Sequence, residues 1–465
     1  MLSVLVVVAA FLGNSASGAE KSPPHLLLIT VDDMSCDSVG VFGCKLPETT
    51  PSIDAFAQTA LRFQHAHVQV GNCMPGRNIM WSGMYSFRNG VEGFRMNRNP
   101  GHPMLCEIAK SAGYLTAIRG KASHSSPYHP YPGWTVDLTQ KPDGGTYDSK
   151  NAVSYGTSTR RAFEMAQAAG KPLMLCINIS DPHKPFYNTN RNGKPDPNVP
   201  SRTFQPSEIP IPGFLHDSPT VRRELADYYN SVRRADDCFA AIMGALDDSG
   251  QSNRTVVVFL SDHGMPLPFA KTQLYHHSTH TPLMVRWPDV TDAGAVDSQH
   301  MVSSVDLVPT LLEIIGDDHP TPDRLHGRSF VDLLRGETQE NRQSVFVQYY
   351  ENSGRKRHPM RGVHTRRYLY LFNPWSNGED RFATATTGTA TYREMKKLAA
   401  TDPKIAARLQ LFDHRVPAEL YDIQSDPDCL NNLIDNPIRY AGQAVVILES
   451  GVAGTAQISV QDEGP

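Results

Sequence analysis

The sequence predicts an α/β protein: a mixed, mostly parallel sheet flanked by helices, followed by a smaller α+β subdomain. Three observations predict it. Residues 25–31 and 255–260 are continuous apolar runs rich in Leu, Val and Ile, the pattern of strands buried on both faces. Segments of helical spacing alternate with such runs, as crossover connections between parallel strands require. Past about residue 336 the pattern changes to short strands at close spacing.

The elements follow in order. Residues 2–12 form an apolar run too short to span a bilayer, and small residues follow at 15–19. Ser17 and Ala19 fit a cleavage site, so residues 1–19 are predicted to be a signal peptide, although no basic residue precedes the run. This predicts an exported chain. Residues 25–31 are the first strand, ending in Asp32-Asp33. Thr50-Pro51 opens a helical pattern through Ile53, Phe56, Ala57 and Ala60. Residues 103–112 read as a helix closed by Gly113, and 114–118 as a strand. Residues 160–169 read as a helix stopped by Gly170, with a strand over 172–179. Residues 221–246 form a long amphipathic pattern, 255–260 the next buried strand, and 306–315 a further helix. Strands are expected over 344–350, 362–365 and 368–372. The expected division is a domain over 24–340 and a C-terminal subdomain over 341–465. Two Pro-, Asn-, Ser- and Gly-rich loops, 187–219 and 373–389, are expected to cover the mouth of the site or to hold subunits apart.

Composition narrows the function. The 465 residues carry a net charge of −4 with neutral histidines, so no basic face for nucleic acid is implied. The seven cysteines include no C-x-x-C pair, which argues against a zinc ribbon or a thioredoxin-like site. Their odd number predicts one unpaired cysteine, Cys73 being the natural candidate, and Cys36 and Cys44 are close enough in sequence to pair.

Three groups of residues carry chemistry. Asp32-Asp33 and Asp262-His263 each follow a buried strand, and in parallel sheets ligands bind beyond the carboxyl ends of the strands. Their oxygens suit a hard divalent cation, with a nitrogen ligand from His263. Cys73 precedes Pro75, and a helix starting near Pro75 would aim its N–H groups at Cys73, favouring an anion there. Gly120-Lys121 with His124, Asp181-Pro182-His183, and Lys271 supply basic groups near strand ends on the same edge.

Together these residues resemble a type I, formylglycine-dependent sulfatase of the alkaline phosphatase superfamily. The resemblance runs from Leu26 to about Asn432. Its markers are Asp32-Asp33, Thr50-Pro51, Cys73-Met74-Pro75-Gly76-Arg77, Gly120-Lys121, Asp181-Pro182-His183, Ser261-Asp262-His263-Gly264 and Thr281-Pro282-Leu283, with Glu419 to Asp422 and Asp426-Pro427. The run 261–275 most resembles heparan N-sulfatase (sulfamidase); His263 and the step from Lys121 to His124 resemble iduronate 2-sulfatase. The resemblance implies an alkaline-phosphatase-like fold and one divalent cation, Ca²⁺ with Mg²⁺ as the other candidate, on Asp32, Asp33, Asp262, His263 and the modified Cys73. It implies that a maturing enzyme oxidises Cys73 to formylglycine, whose hydrate attacks sulfur. Arg77 would hold that hydrate, Lys121 and Lys271 the sulfate oxygens. His183 would protonate the leaving group, and His124 would take the proton of the second hydroxyl to expel sulfate. The implied substrate is a sulfate ester or sulfamate of a saccharide.

Two departures stand out. The commonest family form has Ser where Gly76 stands, and many relatives have Asn where His263 stands. His276, His277 and His280 are given no role and are expected on loop surface. The competing readings are a phosphonate or phosphodiester hydrolase of the same superfamily and an exported glycan-binding pseudoenzyme.

Overall fold

A computed structural model describes residues 23–95, 101–126, 133–188, 194–382, 384–434, 445–450 and 456–461. The expected leader lies outside these residues.

The large sheet is built from β1 (His25–Asp32), β2 (Leu61–His67), β3 (Leu115–Arg119), β4 (Val136–Asp137), β5 (Leu173–Pro182), β6 (Thr255–Ser261), β7 (Leu283–Arg286) and β8 (Val296–Ser303). Its order is β4-β3-β5-β1-β6-β7-β2-β8. The strands from β4 to β6 run parallel; β7 is antiparallel to β6 and β2, and β2 pairs parallel with β8. The sheet is therefore mixed and mostly parallel.

The continuous apolar runs are explained by helices on both faces. Leu27, Ile29 and Val31 point to one side, against the helices Ala152–Ala169 and Pro219–Asp248. Leu26 and Leu28 point to the other, against Cys73–Ser82 and Leu307–Ile315. The period-2 alternation of a strand divides the residues of one run between two cores. The helix expected from residue 160 starts at Ala152, because the Asn151 side chain accepts a hydrogen bond from the Ser154 N–H at 2.9 Å and caps it.

A second, antiparallel sheet follows: β9 (Ser344–Glu351), β10 (Arg357–Thr365), β11 (Tyr368–Phe372) and β12 (Ala418–Asp422), in the order β12-β11-β10-β9. The helices Ala390–Leu398 and Pro403–His414 stand between β11 and β12. A last hairpin pairs β13 (Val445–Ser450) with β14 (Ala456–Gln461). Among the described residues no helix is long and apolar enough to cross a membrane.

The described part of the 187–219 loop is anchored in the core. Phe204, Ile209 and Phe214 are buried in the core, and Phe204 N–H donates to the Asn230 side chain of the long helix. The 373–389 segment likewise buries Phe382 and pins Asn373 to Glu419 at 2.8 Å. The cysteine expectation is corrected: all seven are free thiols, and Cys36 and Cys44 are not bridged. Five of them besides Cys73 (Cys36, Cys106, Cys176, Cys238 and Cys429) are buried, where a thiol packs as a small apolar group.

Candidate active site

The register of the central strands assembles the site. Val31 of β1 pairs with Ser261 of β6 and with Ile179 of β5. Asp32-Asp33, Asp262-His263 and Asp181-Pro182-His183 therefore leave the sheet side by side at one edge. Asp33 is in the left-handed region (φ 70°), and its N–H donates to Asp262 Oδ1 at 3.0 Å. Asp32, Asp33, Asp262 and His263 are all fully buried.

Cys73 opens the helix Cys73–Ser82, all ten residues of which are buried, and its Sγ lies within the acidic cluster. Cys73 Sγ lies 3.2 Å from His263 Nε2. Burial pushes the thiol well above its usual range, against the pull of Lys271. A protonated buried thiol is a poor nucleophile.

The ligand set suits a divalent cation. One ligand atom each of Asp32, Cys73, Asp262 and His263 lies within 4.8 Å of the others. His263 Nδ1 is 3.0 Å from the Gly264 carbonyl, so that nitrogen carries the proton. Nε2 lies 3.2 Å from Asp33 Oδ1 and 3.7 Å from Asp262 Oδ1. Neither oxygen of Asp32 receives a well-directed hydrogen bond, although Lys121 pairs with it. Two carboxylates, an imidazole nitrogen and residue 73 form a cradle that could hold a divalent ion, with Asp33 beside it.

The basic residues converge as expected, with their charges directed at the carboxylates. Lys121 Nζ is 2.5 Å from Asp32, and Lys271 Nζ is 2.7 Å from both oxygens of Asp33. Burial opposes ionisation of Asp32, yet Lys121, His183, Arg77 and Lys271 hold its carboxyl well below the ordinary range. Burial also opposes the Lys121 charge, and Asp32 outweighs it and raises the pKa. Asp262 moves the other way: burial raises its pKa despite Arg77 and His263.

Arg77 is bound mainly to the protein. Nε and Nη2 reach Asp262 Oδ2 at 3.0 and 2.9 Å, and Nη1 donates to Thr30 Oγ1 at 2.7 Å and to Asn178. This geometry orients Asp262 across the sheet edge. His124 follows Lys121 in the turn Ala122–Ser125 and packs edge-on to Phe94 at 5.6 Å. Its Nδ1 is buried without a hydrogen-bond partner, and burial, with Lys121 and Arg77, lowers its pKa to about 3. His183 is half-buried, its Nδ1 2.6 Å from the Lys184 carbonyl.

Sequence reading missed the residues that hold this set. Thr30 and Asn178 are single polar residues inside otherwise apolar strand runs, and a buried polar residue there needs a partner; that was the available signal. Lys150 Nζ binds Asp181 at 2.5 Å and the His183 carbonyl at 2.8 Å. Arg234 grips Asp181 through Nε at 2.6 Å and Nη2 at 3.2 Å, and Asp196 at 2.9 Å. Nothing local to Lys150 or Arg234 marks them. His276, His277 and His280, expected on loop surface, are half-buried around the helical turn His276–Thr279.

The family match and the sulfatase relatives make this chain a hydrolase of sulfate esters or sulfamates. The chain belongs to the sulfatase family, whose model matches residues 24–316. The model of the N-sulphoglucosamine sulphohydrolase C-terminal region matches residues 262–379. Human N-sulphoglucosamine sulphohydrolase is 26% identical over 446 residues, covering 89% of this chain and 86% of that protein. A structure solved with its substrate D-glucosamine-2-N,6-O-disulfate superposes with a TM-score of 0.64 at 18% identity, covering 90% of this chain and 95% of the other. The phosphonate monoester hydrolase of Agrobacterium radiobacter superposes with a TM-score of 0.63 at 18% identity, covering 90% and 92%. The family implies a formylglycine and a divalent metal, for which Cys73 and the acidic cluster are the matching groups.

Proposed function

We propose that this protein is an exported sulfatase acting on a sulfated saccharide through a formylglycine made from Cys73, with Ca²⁺ held by Asp32, Asp33, Asp262, His263 and the modified residue 73. The observation that carries this reading is the position of Cys73, at a buried helix start, 3.2 Å from a histidine that faces two carboxylates. The ion, when bound, supplies positive charge to an oxygen of residue 73 and to the sulfate. Formylglycine, as its hydrate, supplies one hydroxyl to attack sulfur and a second whose deprotonation permits release.

The chain's own residues take the remaining roles. Lys121 and Lys271 stabilise charge on the sulfate oxygens. Arg77 orients Asp262 and adds positive charge beside residue 73. His124 is the residue assigned to accept the proton at residue 73. His183, held through Lys150 and Asp181, donates a proton to the leaving atom. Similarity to N-sulphoglucosamine sulphohydrolase supports a sugar substrate carrying N- or O-sulfate. A formylglycine-generating enzyme acting before or during export is the required partner.

A phosphodiester or phosphonate hydrolase is the second reading, favoured by the Asp262-His263 pair and by the fold shared with the phosphonate monoester hydrolase. Rates on a panel of defined N- and O-sulfated saccharides, an aryl sulfate and a phosphate diester separate the two. Sulfate release from a saccharide is expected. A strong diester preference would overturn the proposal. Intact mass of the residue 73 peptide tests the pseudoenzyme reading, which an unmodified thiol in the native host would favour.

A further inference from the structure

Four histidines outside the candidate active site meet between the two sheets. His67 ends β2, His276 and His280 lie at the turn His276–Thr279, and His364 is on β10. Ring centroids are 4.3 Å apart for His67 and His364, 4.6 Å for His276 and His280, and 5.9 Å for His67 and His276. One ring nitrogen of each of His67, His276 and His364 lies within 4.8 Å of the other two. His67 and His364 are 1% and 0% exposed.

This clustering is costly as simple packing. Burial and the neighbouring rings hold all of them uncharged: His67 and His276 well below the ordinary range, His280 at about 4 and His364 at about 3. Among the described residues none of the four rings pairs with a carboxylate. His276 Nδ1 is buried with no hydrogen-bond partner, a state that ordinarily has an explanation. Neutral imidazoles with converging nitrogens and no acidic neighbour suit a borderline d-block ion and not Ca²⁺ or Mg²⁺, which need oxygen ligands.

The surroundings complete the site. Thr279 Oγ1 lies 3.4 Å from His67 Nδ1 and 3.1 Å from His364 Nε2, so one hydroxyl orients two rings, as outer hydrogen bonds do for ligating histidines. Tetrahedral coordination needs nitrogens about 3.3 Å apart, which each ring reaches by moving less than about 1 Å. A cleft of about 630 Å³ lined by Gln64, His65, His67, His276, His280 and Arg366 opens onto the cluster and gives an ion access.

We propose that His67, His276 and His364 form a second metal site, for Zn²⁺ or a similar d-block divalent cation, separate from the acidic cluster at Cys73. The ion would join β2 of the large sheet to β10 of the small one. It would also clamp the segment that carries Lys271, five residues before His276.

The test uses the full-length protein saturated with Ca²⁺ and titrated with Zn²⁺ or Co²⁺. Metal content after desalting is expected to show one bound equivalent of the added ion, with a visible Co²⁺ spectrum of nitrogen ligation and a raised thermal midpoint. The variants His276→Gln and His364→Asn are expected to weaken that equivalent at least tenfold, and Asp262→Asn to retain it. Absence of the equivalent from the unaltered protein, or its survival in both histidine variants, overturns the proposal. So does its loss in Asp262→Asn alone, which assigns the ion to the acidic cluster. Should His364→Asn fail to fold, the half-buried His276→Gln and the Co²⁺ spectrum of the unaltered protein decide.

Discussion

Cys73 Sγ and His263 Nε2 face each other at 3.2 Å, although 190 residues separate them in the chain. His263 Nδ1 meets the Gly264 carbonyl at 3.0 Å, and its Nε2 is directed into the cluster that contains Cys73. One imidazole therefore links Cys73 with the carboxylates of the acidic cluster.

Cys73→Ala is expected to lower kcat for sulfate release by at least about 10³-fold, the scale of losing a catalytic nucleophile. Cys73 is 2% exposed, so the change removes one buried sulfur and leaves the far-ultraviolet circular dichroism unchanged. Full activity in this variant would end the proposed mechanism.

Dialysis against a chelator is expected to abolish activity, and Ca²⁺ to restore it. Asp262→Asn removes a ligand and the partner of Arg77, so it should raise the Ca²⁺ needed for half-activity by tenfold or more. Titration of sulfate release against free Ca²⁺ checks both. Activity indifferent to the chelator would remove the metal from the reading.

Arg234→Met leaves Asp181 with Lys150 alone and Asp196 without its arginine. Breaking a buried pair of this kind costs about 3–5 kcal/mol, measurable by urea unfolding. Because Asp181 and Lys150 hold the His183 backbone, kcat should fall as well. The double variant with Asp181→Asn should recover part of the stability; no recovery would mean that the pair itself is not the source.

The two glycines flanking Cys73 should behave differently. A Cβ at Gly71 would lie 2.2 Å from Ser278 Oγ and 2.7 Å from the Gln273 carbonyl. Gly71→Ala should therefore cost about 1–3 kcal/mol as an overpacked site. A Cβ at Gly76 meets only the Val70 carbonyl at 3.1 Å and the Asp262 carbonyl at 3.7 Å, so Gly76→Ser should stay within about 1 kcal/mol. Thermal unfolding of both variants checks the contrast, and peptide mass reports whether the Gly76→Ser change alters the converted fraction of Cys73.

Stability of the chelated protein should fall as pH drops below 6.5. The folded pKa values of His280 and His364 are lowered to about 4 and about 3 from an ordinary 6.5, chiefly by burial. Between those values the unfolded chain binds more protons, so the contribution is fully present above pH 6.5 and is lost as pH falls toward 3. Thermal midpoints at pH 7 and pH 5 measure it. His364→Gln should flatten the profile; an unchanged slope would show that other groups dominate.

Much of the site was legible because its residues sit at strand ends. Asp32-Asp33, Asp262-His263 and His183 follow buried runs that sequence pattern identifies, and parallel strands bring their ends to one edge. Strands β7 and β8 were not legible, since they are short or only partly buried and lack a continuous apolar run. The packing of the 187–219 loop was hidden for a related reason: Phe204, Ile209 and Phe214 are isolated apolar residues in a polar stretch, and only the facing helix gives them a core.

Alone, the sequence determined the class of fold and nominated the acidic and basic groups of the candidate site and the cysteine at its centre. These depend on local periodicity and on residue chemistry. Only the tertiary structure decided which charges meet: Arg77 with Asp262, Lys121 with Asp32, Lys271 with Asp33, Arg234 with Asp181, and four histidines with one another. Such pairs join residues far apart in the chain, and a side chain's partner is set by which buried surfaces pack together, information that no local pattern carries.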